Sequence, residues 1–183
     1  MTPERPDDEL VRATLEGERE AFDELVERYQ GKIYNVALSI TGRREDALDA
    51  TQNAFLNAYD HLDRFDSGFR FFSWIYRIGL NESLRLVRDR RESPLEETNL
   101  PSPKAGPERT AEGRETGRAI RRALMRLSPE LRAVIVLRHF HGLSYAEMAK
   151  VVGVPAKTVK SRLFTARREL RRSLAERGLA PGG

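Results

Sequence analysis

The sequence predicts an all-α protein with two small helical domains joined by a flexible linker. Apolar residues recur at helical spacing through most of the chain, and the sequence shows no strand alternation bounded by turn residues. Residues 92–117 interrupt this pattern with four prolines, three glycines and only two leucines. Such a segment buries too little apolar surface to offset its ordering entropy. We therefore predict domains at 1–91 and 118–177, a flexible acidic linker at 92–117, and a disordered tail at 178–183.

The first domain is predicted to be a bundle of helices. One helix begins after Asp7 and Asp8, and the next apolar pattern ends where Gly42 breaks it. Alanines favour another helix over about 45–62, and a turn with the sequence DRFDSGF precedes a helix from 71 to about 91. The candidate core residues of this last helix are Trp74, Ile75, Ile78, Leu84 and Val87.

The second domain carries explicit start and stop signals for its helices. Ser128 is a natural N-cap, and Pro129 suits the first helical position. Gly142 is expected to end this helix. Ser144 and Glu147 have the spacing of a capping box, which predicts the start of a short helix.

The spacing Ala149-x₃-Gly153-x₅-Val159 is that of a helix-turn-helix motif. The motif needs a small residue where its helices cross, a residue tolerant of positive φ in the turn, and apolar residues that lock the helices together. The residues expected to fill its core are Met148, Val152 and Leu163. A last helix is predicted to run from Pro155 to about Arg177.

This last helix is strongly basic. Residues 118–183 hold 15 Lys and Arg against 4 Asp and Glu, whereas residues 1–91 hold 14 against 18. Lys and Arg bind guanine edges or phosphates, and an apolar ring can contact a thymine methyl group. A solvated surface helix is the alternative, but the caps, the turn glycine and the charge asymmetry together favour DNA binding. The candidate contact residues are Lys157, Thr158, Lys160, Ser161, Arg162 and Phe164, with Arg167, Arg168, Arg171 and Arg172 suited to phosphates.

Other functions find no support in the sequence. The chain has no cysteine, which excludes disulfides and thiolate metal sites. His139 and His141 point to different sides of a helix without an evident carboxylate ligand, so no metal is expected. Nucleotide-binding and hydrolase motifs are absent, so neither a cofactor nor enzymatic activity is expected. The sequence lacks a signal-peptide pattern and any apolar run of roughly 18 residues, so we expect a cytoplasmic protein without membrane insertion.

Quoted segments from both domains point to one family. The first domain contains AFDELVERY, EDALDATQNAFLNAY and FRFFSWIYRIGLNESLRLVRDRR, and the second contains LSPELRAVIVLRHFHGLSYAEMAKVVGVPAKTVKSRLFTARREL. In their order and spacing, these segments resemble the extracytoplasmic-function group of bacterial RNA polymerase sigma factors. The resemblance implies a region 2 domain, a region 4 domain, and core RNA polymerase and promoter DNA as partners. An anti-sigma protein is a further expected partner, because such proteins commonly hold members of this group inactive.

The resemblance also implies a docking helix for the clamp helices of the polymerase largest subunit. Its candidate residues are Asp46, Asp49, Gln52 and Asn53. Three of them, Asp46, Asp49 and Asn53, share one helical face, and acidic and amide oxygens suit an arginine-rich partner helix. The position of Asn53 is usually acidic in the family, so we expect weaker or differently biased docking.

The aromatic stretch before and within the helix at 71–91 is expected to act on the minus-10 promoter element. Aromatic rings beside arginines stack unpaired bases at about 1–3 kcal/mol per base. In the family this region melts the element and holds a flipped base. Candidate contacts are Phe69, Arg70, Phe71 and Ser73 near the loop, Asn81 by its family position, and Arg85, Arg88, Arg90 and Arg91 for phosphates.

By the same resemblance, the last helix reads the minus-35 element as duplex DNA. Lys160, Ser161 and Phe164 match contacting positions, whereas many relatives carry a basic residue in place of Thr165. This departure predicts an altered minus-35 sequence or one fewer phosphate contact. A linker of 26 residues spans roughly 25–30 Å as a random coil, which suits two elements read by one chain. Whether the linker also imitates RNA near the exit path, or is an inert tether, stays open.

Two other functions remain as alternatives. The chain would be a stand-alone dimeric helix-turn-helix regulator if it bound palindromic sites tightly without polymerase. It would be an interaction protein if its basic helix bound an acidic partner. Weak salt dependence of any DNA binding would favour this second alternative, because phosphate contacts impose a steep dependence.

Overall fold

A computed structural model describes residues 5–92 and 111–176, and every regular element in these ranges is helical, which confirms the all-α class. The structure also contains a 3-10 turn, Leu62–Arg64, and a π-helical turn, Val136–Phe140. The helices are α1 (Asp7–Leu15), α2 (Arg19–Thr41), α3 (Arg44–Asp60), α4 (Phe71–Glu92), α5 (Ala111–Arg126), α6 (Pro129–Ile135), α7 (Tyr145–Val152) and α8 (Ala156–Ala175).

One helix starts earlier than the composition suggested. Helix α5 begins at Ala111, inside the segment predicted as linker. Once the C-terminal part of α5 has formed, the helix extends readily towards its N-terminus, because each added residue gains one hydrogen bond. Residues 93–110 of the predicted linker and the tail predicted at 178–183 lie outside the described residues.

Helices α2, α3 and α4 pack together as a bundle, and α1 packs against α2. Gly42 ends α2 in the left-handed conformation with φ 75°, as the sequence predicts. Gly79 allows α4 to approach α2 closely, since a Cβ atom there would lie 2.7 Å from Cγ2 of Ile33. The predicted core of α4 is confirmed: Ile75 and Val87 are buried, and Trp74, Ile78 and Leu84 pack against them partly buried.

The caps predicted for the second unit are present. The Ser128 hydroxyl accepts a hydrogen bond from the Leu131 amide at 3.3 Å. Ser144 and Glu147 bond reciprocally as a capping box at the start of α7. Helix α6 ends at Ile135, and the π-helical turn continues the helical segment to Phe140. Gly142 follows with φ 67°, so the segment ends close to the glycine that the sequence predicts.

Helices α7 and α8 form the predicted helix-turn-helix. Gly153 ends α7 with φ 73°, the conformation the turn requires. Met148, Val159 and Leu163 are buried between the two helices and α6, and Ala149 packs against the same core. Helix α8 therefore buries the face that carries Val159 and Leu163 and exposes its basic residues on the opposite face.

The two units are packed against each other. The Tyr76 hydroxyl in α4 lies 3.1 Å from Nδ1 of His141, and the Arg132 guanidinium in α6 donates to the main-chain carbonyl of Ile40 in α2. Tyr76 and Arg132 are only 2% and 4% exposed. Helix α7 lies against α4, so the first helix of the helix-turn-helix sits beside the aromatic loop that precedes α4.

Candidate nucleic-acid interface

The outer face of α8 is basic and carries one exposed aromatic ring. Phe164 is 68% exposed, while Val159, Leu163 and Ala166 are buried on the opposite face. The Arg168 guanidinium lies 6.0 Å from the centroid of the Phe164 ring. This face can therefore present an apolar group to a thymine methyl between cations suited to guanine edges and phosphates.

The residues predicted to contact DNA from α8 differ in exposure. Lys157, Lys160, Ser161, Phe164, Arg167, Arg168, Arg171 and Arg172 are exposed, and Thr158 and Arg162 are half-buried at its edge. The Ser161 hydroxyl donates to the Thr158 carbonyl at 3.2 Å, which leaves its oxygen free to accept. The Arg167 Nε atom lies 3.3 Å from Nε2 of His139, and burial together with this arginine lowers the His139 pKa. The His139 Nε2 atom accepts a hydrogen bond from Arg167 in this arrangement and so orients that arginine.

The loop before α4 divides its aromatic residues between the surface and the core. Phe69 is 46% exposed and Arg70 is exposed beside it. Phe71, by contrast, is 0% exposed and packs between Tyr29 and Phe65 at centroid distances of 5.7 and 5.8 Å. We therefore correct the assignment of Phe71: in this structure it anchors the loop from within and has no surface on which a base could stack.

The remaining minus-10 candidates lie on α4. Ser73 is only 5% exposed, so this hydroxyl is also a buried group here rather than a DNA contact. Asn81 and Arg88 are exposed and free to face a strand. The partly exposed Arg85 guanidinium forms ion pairs with Glu82 at 2.9 Å and Asp89 at 3.2 Å, which balance its charge and raise its pKa.

The predicted docking residues on α3 do not act as one set. The Asp46 carboxylate binds Arg90 of α4 at 2.8 Å and is mostly covered, so it joins two helices of the bundle. The same pair engages the Arg90 guanidinium, so its phosphate contact stays a prediction, while the side chain of Arg91 lies outside the described residues. Asp49 and Gln52 are exposed, and Asn53 is half-buried.

Two leucines on α3 complete this surface, and the sequence reasoning missed them. Leu48 is 50% exposed and Leu56 is 56% exposed, on either side of Gln52 at spacings of four residues. The signal was available in the sequence. Helix α3 buries an alanine stripe (Ala47, Ala50, Ala54 and Ala58), so a second apolar stripe of leucines has no partner inside the bundle.

The two histidines considered as metal ligands have other roles. His139 faces Arg167, and His141 faces Tyr76. Among the residues that the structure describes, no three histidine, aspartate or glutamate side chains cluster as a metal site would require. None of the described helices is long and apolar enough to cross a membrane.

The structure combines the exposed basic helix α8 with a loop that exposes Phe69 and an apolar surface on α3. This combination is typical of a transcription factor that binds DNA and a protein partner. Comparison with known families makes this specific. Sigma-70 region 2 matches residues 25–93, and Sigma-70, region 4 matches residues 117–170.

Full-length relatives agree with this result. The chain is 39% identical over 171 residues to the ECF RNA polymerase sigma factor SigM of Mycobacterium tuberculosis, covering 93% of this chain and 86% of the relative. It is 35% identical over 179 residues to the ECF RNA polymerase sigma-E factor of Escherichia coli, covering 91% and 93%. The chain belongs to the extracytoplasmic-function group of RNA polymerase sigma factors, and it directs promoter-specific transcription. A stand-alone dimeric regulator is therefore not favoured.

Solved structures share the arrangement of both units. CnrH, solved in complex with the cytosolic domain of CnrY, superimposes with a TM-score of 0.72 at 30% identity and covers 93% of this chain and 97% of its own. RpoE of Bartonella quintana, solved with the anti-sigma factor NepR, has a TM-score of 0.68 at 24% identity over 84% of this chain and 96% of its own, which shows a shared fold.

Proposed function

We propose that this sigma factor reads its promoter at two points, with α8 on duplex minus-35 DNA and the Phe69–Arg70 loop on the melted minus-10 strand. The observation that carries the proposal is Phe164, 68% exposed on the basic face of α8. Burying this ring against a thymine methyl group would gain hydrophobic free energy at the centre of the basic face. Lys160, Ser161 and Arg168 around it supply base-edge and phosphate contacts.

The minus-10 contacts are proposed for a smaller set than the sequence suggested. Phe69 offers a ring face for an unpaired base, and Arg70 offers a cation for the adjoining phosphate. Asn81 and Arg88 extend this surface along α4. Phe71 and Ser73 support the loop from inside, so their role is to hold Phe69 in place.

Docking on core RNA polymerase is proposed for the exposed face of α3. Leu48 and Leu56 provide apolar area, and Asp49 and Gln52 provide acceptors between and beside them. Interfaces of this type combine a buried apolar centre with polar groups that fix orientation. Asn53 stands at the edge of this face, half-buried.

The same proposal covers the organisation and setting of the chain. Residues 1–91 and 118–177 act as separate reading domains, and the predicted linker 92–117, whose last residues belong to α5, tethers them. The polymerase supplies the nucleotide chemistry, so the chain needs no cofactor and acts in the cytoplasm as a non-enzymatic factor. An anti-sigma protein is proposed as a partner, since RpoE of Bartonella quintana, which shares this fold, is solved with the anti-sigma factor NepR.

The test is transcription in vitro with core polymerase and genomic DNA, with sequencing of the transcripts made with and without the chain. We expect a small set of start sites that share two upstream elements. Phe164→Ala should lose these start sites while retaining polymerase binding, and Glu20→Gln, an exposed change in α2, should retain both. A chain that gives no new start sites, or a Phe164→Ala variant that transcribes normally, would contradict the proposal.

A further inference from the structure

Helix α7 places two charged groups on the loop that is proposed to capture the melted strand. The Lys150 Nζ atom lies 4.9 Å from the centroid of the Phe69 ring. The Glu147 carboxylate lies 3.7 Å from the Arg70 guanidinium. Both contacts join the helix-turn-helix unit to the loop of the first unit.

Lys150 and Glu147 contact the same side chains that we expect a base and a phosphate of single-stranded DNA to contact. A base stacks on the face of an aromatic ring, which is the face that Lys150 approaches. A phosphate oxygen binds a guanidinium as a carboxylate oxygen does. Glu147 is charged and fixed for this contact, because hydrogen bonds from Ser144 orient its carboxylate and lower its pKa. A strand that stacked on this face and bound Arg70 would therefore take the places of Lys150 and Glu147.

Other contacts between the units hold α7 in this place. Tyr76 on α4 binds His141 at 3.1 Å, and the Arg77 guanidinium lies 3.6 Å from where a Cβ atom at Gly153 would stand. Arg132 donates to the carbonyl of Ile40 at the end of α2. The loop contacts are thus the outer edge of a larger interface, so they form and separate together with it.

The minus-35 face of α8 is not part of this interface. Phe164 is 68% exposed, and Lys157, Lys160 and Arg168 are exposed around it. The closed chain therefore presents the α8 surface fully, while α7 contacts part of the minus-10 loop. The loop contacts themselves are shallow, since Phe69 remains 46% exposed and the Arg70 side chain 79%. Exposed pairs of this kind contribute little free energy, which makes them displaceable.

We propose that α7 competes with the minus-10 strand for the Phe69–Arg70 loop, so that the closed chain binds duplex DNA through α8 and captures a melted strand only after the units separate. The inference rests on the proposed role of this loop in strand capture. It adds an order to promoter recognition: separation of the units must precede or accompany capture of the strand.

A reducible cross-link tests this order directly, because the chain has no cysteine of its own. Ser39 of α2 and Arg121 of α5 line one cleft of about 440 Å³ between the units, and neither residue belongs to the proposed DNA or polymerase surfaces. The variant S39C/R121C, bridged by a short reducible thiol reagent, keeps the units together until the reagent is cleaved. The same molecules then serve as the unlocked control.

The probes are fluorescent oligonucleotides from a promoter mapped by the transcription experiment: the minus-10 non-template strand and the minus-35 duplex. Binding is measured by fluorescence anisotropy for the chain bound to core polymerase. We expect the locked chain to bind the strand at least tenfold more weakly than the reduced chain, and the duplex within twofold. Equal strand binding by both forms overturns the inference. If neither form binds the strand, capture by the loop fails, and the inference fails with it.

A substitution gives a second, independent readout. Lys150→Gln removes the cation over Phe69, and Lys32→Gln removes a cation at the same 4.9 Å distance from the Tyr29 ring in the first unit. Loss of a positive charge alone weakens DNA binding. We expect Lys150→Gln to raise strand affinity severalfold and Lys32→Gln to lower it or leave it unchanged. Equal effects of the two changes would show that α7 does not compete for the loop.

Discussion

Arg132 in α6 donates a hydrogen bond to the main-chain carbonyl of Ile40 at the end of α2, 92 positions earlier in the chain. The same guanidinium binds the carbonyls of Leu124, Met125 and Leu127 at 3.0–3.1 Å, where α5 ends. The carbonyls at helix C-termini lack partners within the helix. One buried cation therefore satisfies the ends of two helices from different units.

Replacing Arg132 by Met should destabilise the protein strongly. Hydrogen bonds to a charged group contribute about 1.5–3 kcal/mol each, and several buried carbonyls would lose theirs, so we expect a loss of about 3 kcal/mol or more. The measurement is urea unfolding of the full chain, followed by circular dichroism.

Arg126→Ala is the matched control for Arg132→Met. Arg126 is also near the end of α5, but its side chain is 57% exposed and its pair with Glu176 spans 3.6 Å. Exposed pairs contribute about 0–1 kcal/mol, so this change should shift the midpoint only slightly. Similar losses for both variants would mean that burial of Arg132 does not determine its contribution.

Two helical glycines should respond in opposite directions to alanine. Gly31 in α2 has no atom within 4 Å of a built Cβ, so Gly31→Ala should stabilise the protein by roughly 0.5–1 kcal/mol. At Gly79 the new methyl would lie 2.7 Å from Cγ2 of Ile33, a buried and β-branched side chain. Gly79→Ala should therefore destabilise by about 1–3 kcal/mol, because α4 must move away from α2. Thermal unfolding of both variants measures these changes. If helix propensity alone decided the outcome, both substitutions would stabilise the protein.

The local signals in the sequence were sufficient for the helices and the helix-turn-helix. Ser128, Ser144 and Gly153 act on neighbours within three or four residues, so their roles can be recognised without tertiary structure. The burial of Phe71 beside the exposed Phe69 could not be recognised in that way. Both rings lie at one loop–helix junction, and the tertiary positions of Tyr29 and Phe65 around Phe71 decide which of them is covered.

Contacts between the units were beyond the reach of sequence patterns for the same reason. The links from Tyr76 to His141 and from Arg132 to Ile40 join residues 65 and 92 positions apart. Neither pair has a periodicity or a spacing that marks it. The leucines of α3 were recognisable in principle, because an apolar stripe opposite a buried alanine stripe indicates an external partner.

The α8 surface should separate into base-reading and phosphate-binding residues. Phe164→Ala should weaken binding to the minus-35 duplex about tenfold without changing its salt dependence, since the ring neutralises no phosphate. Arg168→Ala should weaken all duplexes similarly and reduce the slope of log affinity against log salt by about 0.9. Titrations of specific and scrambled duplexes at several salt concentrations measure both effects. A change in slope for Phe164→Ala would assign it an indirect role.

The exposed leucines of α3 should determine affinity for core polymerase. Burying a leucine side chain contributes about 1.5–3 kcal/mol, so Leu48→Gln with Leu56→Gln should weaken the complex at least tenfold. Duplex binding by α8 should not change. The control is Leu15→Gln in α1, which removes a leucine of similar exposure, 54%, outside the proposed surface. Competition against a labelled wild-type chain measures these affinities, and equal losses for control and double variant would contradict the assignment.

Separation of the two units should depend on pH through His141. Burial lowers the pKa of His141 in the closed chain, where Tyr76 of α4 faces it and Arg121 of α5 lines the same cleft. Once the units separate, the imidazole regains water and its pKa returns towards about 6.5. The closed state thus binds fewer protons, so its stability is fully present above about pH 6.5 and is lost as pH falls below that value. His139 lies within the second unit against Arg167, so its titration is not linked to separation in the same way.

Energy transfer between dyes on E20C and A175C, two exposed positions in different units, reports this separation. We expect transfer to decrease between about pH 7.5 and 5.5 in the chain with His141. In His141→Asn, whose side chain retains an acceptor for the Tyr76 hydroxyl but does not titrate, transfer should stay constant over this range. The same decrease in both chains would assign the pH response to other groups. Tyr76 itself does not interfere, because burial raises its pKa to about 12, far above the range tested.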